Sequence, residues 1–169
     1  MDPNYALAYA GMGIAYEWQS GSDRKVNLKA REAAAKALQI DDTLGEAHYL
    51  LGYVAYSYDW NWSGAEKEFR RAIELNPSSG EAHYGYALYL NAAGRHDEAI
   101  AEIQRAQEVD PIVFIQKVDA GRIYACGGQY DRAIKQLRDA SDLKPNDFRA
   151  HDALGTIYLY TRNASGERR

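Results

Sequence analysis

The sequence predicts an all-α protein built from repeated pairs of helices. Two segments are almost identical, GEAHYLLGYVAY from Gly45 and GEAHYGYALYL from Gly80, and the second starts 35 residues after the first. Pro77, Pro111 and Pro145 recur at intervals of 34 residues. Apolar residues between these landmarks fall at helical spacing, and the strict alternation of a strand is absent. Each repeat is therefore predicted to form a helix, a short turn, a second helix and a stop.

The second helix of each repeat is predicted from its amphipathic pattern. In the segment AEKEFRRAIELNP, Ala65, Phe69 and Ala72 share one stripe, and charged residues occupy the opposite side. Ser63 and Glu66 have the spacing of a capping box, in which the two side chains satisfy amide groups at a helix start. We therefore expect Ser63 to cap this helix.

Glycine and proline are expected to end the helices. Gly94 and Gly128, 34 residues apart, stand where a first helix must stop and turn, a place that favours the left-handed conformation. The three recurring prolines follow the second helices, and each lacks an amide donor and restrains the residue before it. Because the same helix-ending residues recur in successive repeats, the chain is predicted to repeat one structural unit.

The repeats resemble the tetratricopeptide repeat, a helix-turn-helix of about 34 residues. The matching small residues of the first helices are Gly52, Ala87, Gly121 and Gly155, and the matching tyrosines are Tyr16, Tyr124 and Tyr158. The resemblance implies a right-handed superhelical solenoid of antiparallel helix pairs with about 4.5 repeats. The stretch YDWNWSGAEKEFRRAIELNP also resembles, more loosely, the repeat regions of bacterial signalling and winged-helix regulatory proteins.

The whole chain, residues 1–169, is expected to form one domain of this kind. Its repeats are placed at about 6–44, 45–79, 80–113 and 114–147, with a partial repeat at 148–169. Residues 2–4 look like the tail of a preceding repeat, and the chain closes inside the fifth repeat. We therefore expect it to be a fragment of a longer protein.

In the family the first helices line the concave face, so the resemblance implies a groove there for a peptide or partner protein. The candidate contacts at the groove-facing places are Glu46, Tyr49, Tyr53, Tyr56, Glu81, Tyr84, Leu88, Asn91, Val118 and Arg122. Tyrosine rings and hydroxyls suit an extended peptide or a partner helix. Ligand contact and core packing are both open for Tyr49, Tyr53, Tyr56 and Tyr84. Core packing is expected for Tyr9, Tyr16, Tyr124 and Tyr158, which stand at the family's packing places.

Catalytic, cofactor and metal sites are not expected. The chain has one cysteine, and His48, His83 and His151 take the same place in different repeats. Packed helices lie on the order of 10 Å apart, whereas the ligands of one metal ion lie about 2 Å from it. We therefore expect packing histidines, no cofactor and no enzymatic activity. Trp60 and Trp62 either anchor a partner or cover a helix junction, and we favour the junction.

Charge and composition narrow the class of partner. A net charge of −4 lacks the basic excess of a general nucleic-acid binder. No apolar run approaches the roughly 20 residues that cross a bilayer, and the N-terminus has no signal pattern. A cytoplasmic protein-interaction scaffold is the leading hypothesis. The alternative is a self-association module of a larger bacterial signalling or transcription-regulatory protein, joined through uncapped repeat ends.

Overall fold

A computed structural model describes residues 5–20 and 24–164 of the chain, without the side chains of residues 17–20, 24, 163 and 164. Expectations about residues 2–4 and 165–169 lie outside the described residues. The described part forms helices and no strand. The helices are α1 (Ala6–Ser20), α2 (Arg24–Ile40), α3 (Gly45–Ser57), α4 (Trp62–Leu75), α5 (Gly80–Ala92), α6 (His96–Val109), α7 (Phe114–Cys126), α8 (Tyr130–Leu143) and α9 (Phe148–Ala164).

The chain divides into two compact units. Unit 1 is Met1–Tyr89 and unit 2 is Leu90–Arg169, so the boundary falls within α5. Unit 1 holds α1 to α4 and most of α5, and unit 2 holds the end of α5 and α6 to α9. The division of the chain into a single domain of repeats stays a prediction.

The helices of unit 1 pack as antiparallel pairs. In the first pair the Lys36 ammonium lies 5.7 Å from the ring centre of Tyr9, and Lys29 lies 5.7 Å from that of Tyr16. Positions later in α1 thus meet positions earlier in α2, which requires opposite directions. In the second pair, α3 and α4, the fully buried ring of Phe69 lies against Gly52. Burying one such side chain contributes about 2–3 kcal/mol.

Unit 2 repeats this arrangement with α7 and α8. Leu137 of α8 fills the space beside Gly121 of α7, and it is fully buried. Lys144, just after α8, lies 5.0 Å from the ring centre of Phe114 at the start of α7. Because the beginning of α7 meets the end of α8, this pair is also antiparallel. The helix α9 then packs against α8 and α7.

The predicted helix ends are confirmed at the glycines and prolines. Gly94 and Gly128 have φ values of 78° and 73°, just after α5 and α7. Each of the three recurring prolines stands two residues beyond the last residue of a second helix, at Leu75, Val109 and Leu143. These stops are properties of single residues, which explains why the sequence predicts them.

The predicted cap of α4 is wrong. The helix begins at Trp62, and its N-cap is Asn61, two residues before Ser63; the Asn61 Oδ1 accepts a hydrogen bond of 3.1 Å from the amide of Gly64. Ser63 lies in the first turn, where its hydroxyl donates to the same oxygen at 3.4 Å. Asparagine is as good an N-cap as serine, and the Glu66 carboxylate bonds tyrosines instead of the helix start.

The tyrosines assigned to packing do not share one environment. Tyr124 is buried, and Tyr9 and Tyr16 are half-buried. Tyr158 is exposed, although it matches Tyr124 in the repeat. The expectation of core packing is therefore wrong for Tyr158, because the described residues place no helix over that side of α9.

Candidate functional site

The helix α3 carries four of the predicted contacts on one stripe. Glu46, Tyr49, Tyr53 and Tyr56 follow one another at intervals of three or four residues, which places them on the same face. Tyr49 lies in the core, whereas the other three are half-buried. Tyr49 is therefore a core residue, whereas Tyr53 and Tyr56 keep part of their surface exposed.

The first part of α5 lies beside this stripe. A Cβ built on Gly85 would come 2.7 Å from Cε2 of Tyr49, so the α5 backbone touches that ring. Further along, the rings of Tyr56 and Tyr89 meet edge to face at 6.0 Å. Two contacts in the same order along both helices show that α3 and this part of α5 run side by side. Of the predicted contacts there, Glu81 is exposed, and Tyr84 and Leu88 are half-buried.

A network of aromatic rings supports the surface of unit 1. Neighbouring ring centres lie 5.7–6.5 Å apart. Its members are Tyr49, Tyr53, Tyr56, Trp60, Trp62, Phe69, Tyr86 and Tyr89. Such ring pairs add about 0.5–1.5 kcal/mol each beyond area burial. Sequence reasoning missed Tyr86 and Tyr89 as partners of this surface, since their repeat places suggest ordinary packing.

A carboxylate fixes the two stacked rings beneath this surface. The Tyr86 hydroxyl donates to Oε1 of Glu66 at 3.2 Å, and the Tyr89 hydroxyl donates to Oε2 at 3.3 Å. Arg70 donates to Oε1 of Glu66 at 2.7 Å and, through Nε, to the Tyr86 hydroxyl at 3.1 Å. Hydrogen bonds to ionised groups are the stronger ones. Glu66 therefore sets the orientation of both rings.

The tryptophans between α3 and α4 differ in their roles. The Trp62 ring packs against Tyr56 and Tyr89, at 5.8 and 5.7 Å, so it covers the helix junction. Trp60 is 72% exposed and has a φ of 54°, the left-handed region that bulky residues rarely adopt. The neighbouring Asp59 is held in an ion pair by Arg31 of α2. Sequence periodicity carries no signal for this strained turn.

The three remaining candidates belong to unit 2 and have separate surroundings. The Asn91 Oδ1, near the end of α5, accepts a hydrogen bond of 3.0 Å from Nδ1 of His96, the first residue of α6. Val118 is fully buried in α7. Arg122 is exposed and forms an ion pair of 3.2 Å with Asp119, three residues earlier. The structure therefore places Val118 in the core and leaves surface at Arg122 and Asn91.

The two acidic candidates have a structural role as well. Glu46 and Glu81 lie in the first turns of α3 and α5. A negative charge there interacts favourably with the helix dipole, typically by about 0.3–1 kcal/mol. Their charges also border the tyrosine stripe, so they contribute negative potential to this surface.

The repeated histidines anchor turns. In each case Nε2 bonds the carbonyl oxygen six residues earlier: Asp42 for His48 at 3.2 Å, Pro77 for His83 at 3.0 Å and Pro145 for His151 at 3.0 Å. Since a carbonyl only accepts, Nε2 carries the hydrogen in all three. Within the described ranges, no three His, Cys, Asp or Glu residues are grouped so as to hold a metal ion. No described helix is long and apolar enough to cross a membrane.

Comparison with known proteins points to one family. A family model described as "Tetratricopeptide repeat" matches residues 61–111, and one described as "TPR repeat" matches residues 121–160. Together the two matches cover more than half of the chain. YrrB, described as "a TPR protein with an unusual peptide-binding site", superposes with a TM-score of 0.65 at 28% identity, over 90% of this chain and 75% of that one.

Two similar proteins are much longer than this chain. Superkiller complex protein 3 of Homo sapiens is 24% identical over 180 residues, which is 85% of this chain and 12% of that protein. Transcriptional regulator HilA of Salmonella paratyphi A is 31% identical over 115 residues, which is 66% of this chain and 21% of that protein. The chain thus spans only a small part of the length of these relatives.

Proposed function

This chain belongs to the tetratricopeptide repeat family, with the all-α, solenoid-type fold that its sequence predicts, and we propose that it binds an extended peptide of a partner protein. Proteins of this family generally mediate protein–protein interactions and are generally not enzymes. The proposed binding surface is the tyrosine stripe of α3 with the first part of α5, here called the tyrosine face. Tyr53, Tyr56 and Tyr84 are its proposed ligand contacts, and Leu88 its apolar floor.

The observation that carries this proposal is the ring network of unit 1. Tyr53 and Tyr56 keep part of their surface, yet each contacts other rings at 5.8–6.3 Å. A side chain already held in place loses little conformational entropy when a ligand binds. Tyrosine also offers both apolar area and a hydroxyl, which is why it is enriched at interfaces. The peptide-binding site named for YrrB, at 28% identity, supports the same class of ligand.

The charges near the tyrosine face indicate the kind of peptide. Glu46 and Glu81 stand at the helix starts beside it, and the whole chain carries a net charge of −4. Complementary charge speeds association and selects partners. We therefore expect a peptide that alternates apolar residues with Lys or Arg, and no nucleic acid. Asn91 and Arg122 of unit 2 stay proposed contacts outside the tyrosine face.

The test begins with selection of displayed random peptides on the intact chain. A selected peptide, synthesised with a fluorescent label, is titrated with the wild type and with the Tyr53→Ala/Tyr84→Ala variant. The variant should weaken binding by about tenfold or more, which is about 1.4 kcal/mol, and it should stay folded at the temperature of the titration, with only the small loss of stability that follows from removing the Tyr53–Tyr49 ring contact. Tyr160→Ala, an exposed tyrosine of unit 2, should bind like the wild type. Equal affinity in the double variant, or a loss of stability that matches the loss of binding, would contradict the proposal.

The alternative is self-association within a larger signalling or transcription-regulatory protein. The similarity to transcriptional regulator HilA favours this reading. This alternative includes the proposal that the protein is bacterial and works in the reducing cytoplasm. The single cysteine allows no disulfide within the chain, which fits a reducing compartment. Light scattering over a wide concentration range tests it: a mass that rises above 19.0 kDa supports self-association, and a constant monomer mass rejects it.

A further inference from the structure

The turn between α3 and α4 has a tryptophan where the corresponding turns of two later repeats have glycine. Trp60, Gly94 and Gly128 stand at intervals of 34 residues, and their φ values are 54°, 78° and 73°. Glycine adopts this conformation at little cost, whereas a bulky residue is strained by it. The Trp60 ring is also 72% exposed, so burial offsets little of the strain. Backbone strain of this kind is concentrated at functional sites.

Contacts on both sides hold the strained turn in place. The amide of Asn61 donates to the carbonyl oxygen of Ala55 at 3.0 Å, which closes the turn around Trp60. Before the tryptophan, Asp59 is held in an ion pair by Arg31 of α2. The backbone of Trp60 is therefore fixed before any ligand arrives, which lowers the conformational entropy that a contact there would cost.

Ring contacts connect Trp60 to the tyrosine face. The centre of its ring lies 6.5 Å from that of Trp62, and the Trp62 ring lies 5.8 Å from that of Tyr56. Tyr56 is a proposed ligand contact in the last turns of α3. A peptide that follows α3 over Tyr53 and Tyr56 would therefore reach Trp60 next.

The Trp60 ring is free to receive a cation. In unit 1 the ammonium groups of Lys29 and Lys36 lie 5.7 Å from the ring centres of Tyr16 and Tyr9. Among the residues that the structure describes, no Lys or Arg lies over the Trp60 ring. Tryptophan attracts cations more strongly than the other aromatic side chains do.

The end of α3 adds negative potential at the same place. The helix ends at Ser57, three residues before Trp60, and its last turn has no basic residue. The C-terminus of a helix carries a partial negative charge that favours a nearby cation. Arg31, which reaches this turn from α2, is paired with Asp59. A Lys or Arg of a ligand would therefore be attracted both by the ring and by the helix end.

We propose that Trp60 binds a Lys or Arg side chain of the partner peptide through a cation–π contact at the end of the tyrosine face. The inference rests on the peptide binding proposed above, and it places one basic residue of the peptide beyond the segment that covers Tyr53 and Tyr56. Ligand binding then explains a strained tryptophan at a place where glycine would be more stable.

The probe is a fluorescently labelled hexapeptide of alternating Leu and Arg, whose anisotropy is followed as the intact chain is added. Trp60→Leu keeps an apolar side chain on the same strained backbone but removes the ring, and it should weaken binding about three- to fivefold. Trp60→Tyr keeps a ring and should bind within about twofold of the wild type. Tyr160→Leu, which removes an exposed ring of unit 2, should bind like the wild type. Circular dichroism should show the wild-type helix content for all three variants.

No saturable binding of the hexapeptide, or equal binding by Trp60→Leu, overturns the proposal. Equal binding by Trp60→Leu together with a loss in Tyr53→Ala/Tyr84→Ala would overturn it and leave the proposed function standing. A loss in Trp60→Leu without a loss in the double variant would support the contact at Trp60 and contradict the tyrosine face. Sedimentation showing a wild-type dimer that Trp60→Leu dissociates would assign Trp60 to a second copy and would also overturn the proposal.

Discussion

Gly85 of α5 lies directly against the ring of Tyr49 of α3. A Cβ built on this glycine would fall 2.7 Å from the Tyr49 ring and 2.8 Å from the ring of Phe69. Both rings are buried, so neither has room to move away. This contact brings α3 and α5 close enough for their half-buried tyrosines to share one surface, and it connects core packing to the proposed binding face.

Replacing Gly85 by alanine should destabilise the protein. Alanine favours a helix over glycine by about 1 kcal/mol, but forcing a methyl group between two packed rings costs typically 1–3 kcal/mol or more. We expect the free energy of unfolding in urea to fall by about 1–2 kcal/mol. Gly155→Ala is the control; with no described atom near its Cβ, it should raise stability by up to about 1 kcal/mol. A stability gain in Gly85→Ala would refute the close contact.

Glu66→Gln should lower stability through the rings of Tyr86 and Tyr89. The amide keeps the shape of the carboxylate, but it loses the charge and offers one accepting oxygen instead of two. Hydrogen bonds to charged groups contribute about 1.5–3 kcal/mol, and we expect a loss of about 1–2 kcal/mol by thermal unfolding. Glu74→Gln, which alters an exposed pair with Arg71 at 3.2 Å, should change stability by less than about 0.5 kcal/mol. Equal effects of the two variants would remove the special role of Glu66.

Trp60→Gly should raise stability. A bulky residue in the left-handed conformation costs roughly 1–2 kcal/mol, which glycine avoids. The lost contact with Trp62, at 6.5 Å, offsets part of this gain. We expect a net increase of about 0.5–1 kcal/mol in the free energy of unfolding.

Gly94→Ala provides the reverse measurement of the same backbone effect. Its φ is 78° and nothing described lies near a built Cβ, so any loss comes from the backbone alone. It should lose about 1 kcal/mol. If Trp60→Gly is less stable than the wild type, the Trp60 ring contributes more to folding than its conformation costs.

The Asp147 carboxylate should make stability depend on pH at the start of α9. Hydrogen bonds from the Arg149 side chain, and then from its amide, lower the pKa of Asp147 from 3.8 to about 2. The bonds are 2.9 and 2.7 Å from the guanidinium and 3.1 Å from the amide. A lowered pKa means that this contribution is present above the unfolded value and is lost as the pH falls through the folded value.

Asp147→Asn isolates this contribution, because the asparagine oxygen can still accept the hydrogen bond from the Arg149 amide but the side chain does not ionise. The melting temperature of the variant should lie below that of the wild type at neutral pH. The difference should shrink between about pH 4 and pH 2, the interval between the two pKa values. A difference that stays constant over this interval would show that the charge of Asp147 plays no part.

The described structure confirms the sequence-based predictions of helix ends where the conformation of a single residue determines the end. Gly94 and Gly128 end first helices because only glycine adopts a positive φ at little cost, and the prolines follow second helices because they lack an amide donor. The prediction that Ser63 caps α4 is wrong for a reason that is also local. Asn61 and Ser63 are both good caps, and the start of the helix at Trp62 selects between them.

Residue type and repeat place do not determine burial. Tyr124 and Tyr158 occupy the same place in the repeat, yet α8 covers the first and no described helix covers the second. Likewise Tyr49 and Tyr53 share one stripe of α3, and only Tyr49 lies under Gly85. Periodicity states which side of a helix a residue takes, because that follows from the backbone of one segment. Burial depends on which other segment packs there, so only the tertiary structure decided which tyrosines form the core and which stay partly exposed.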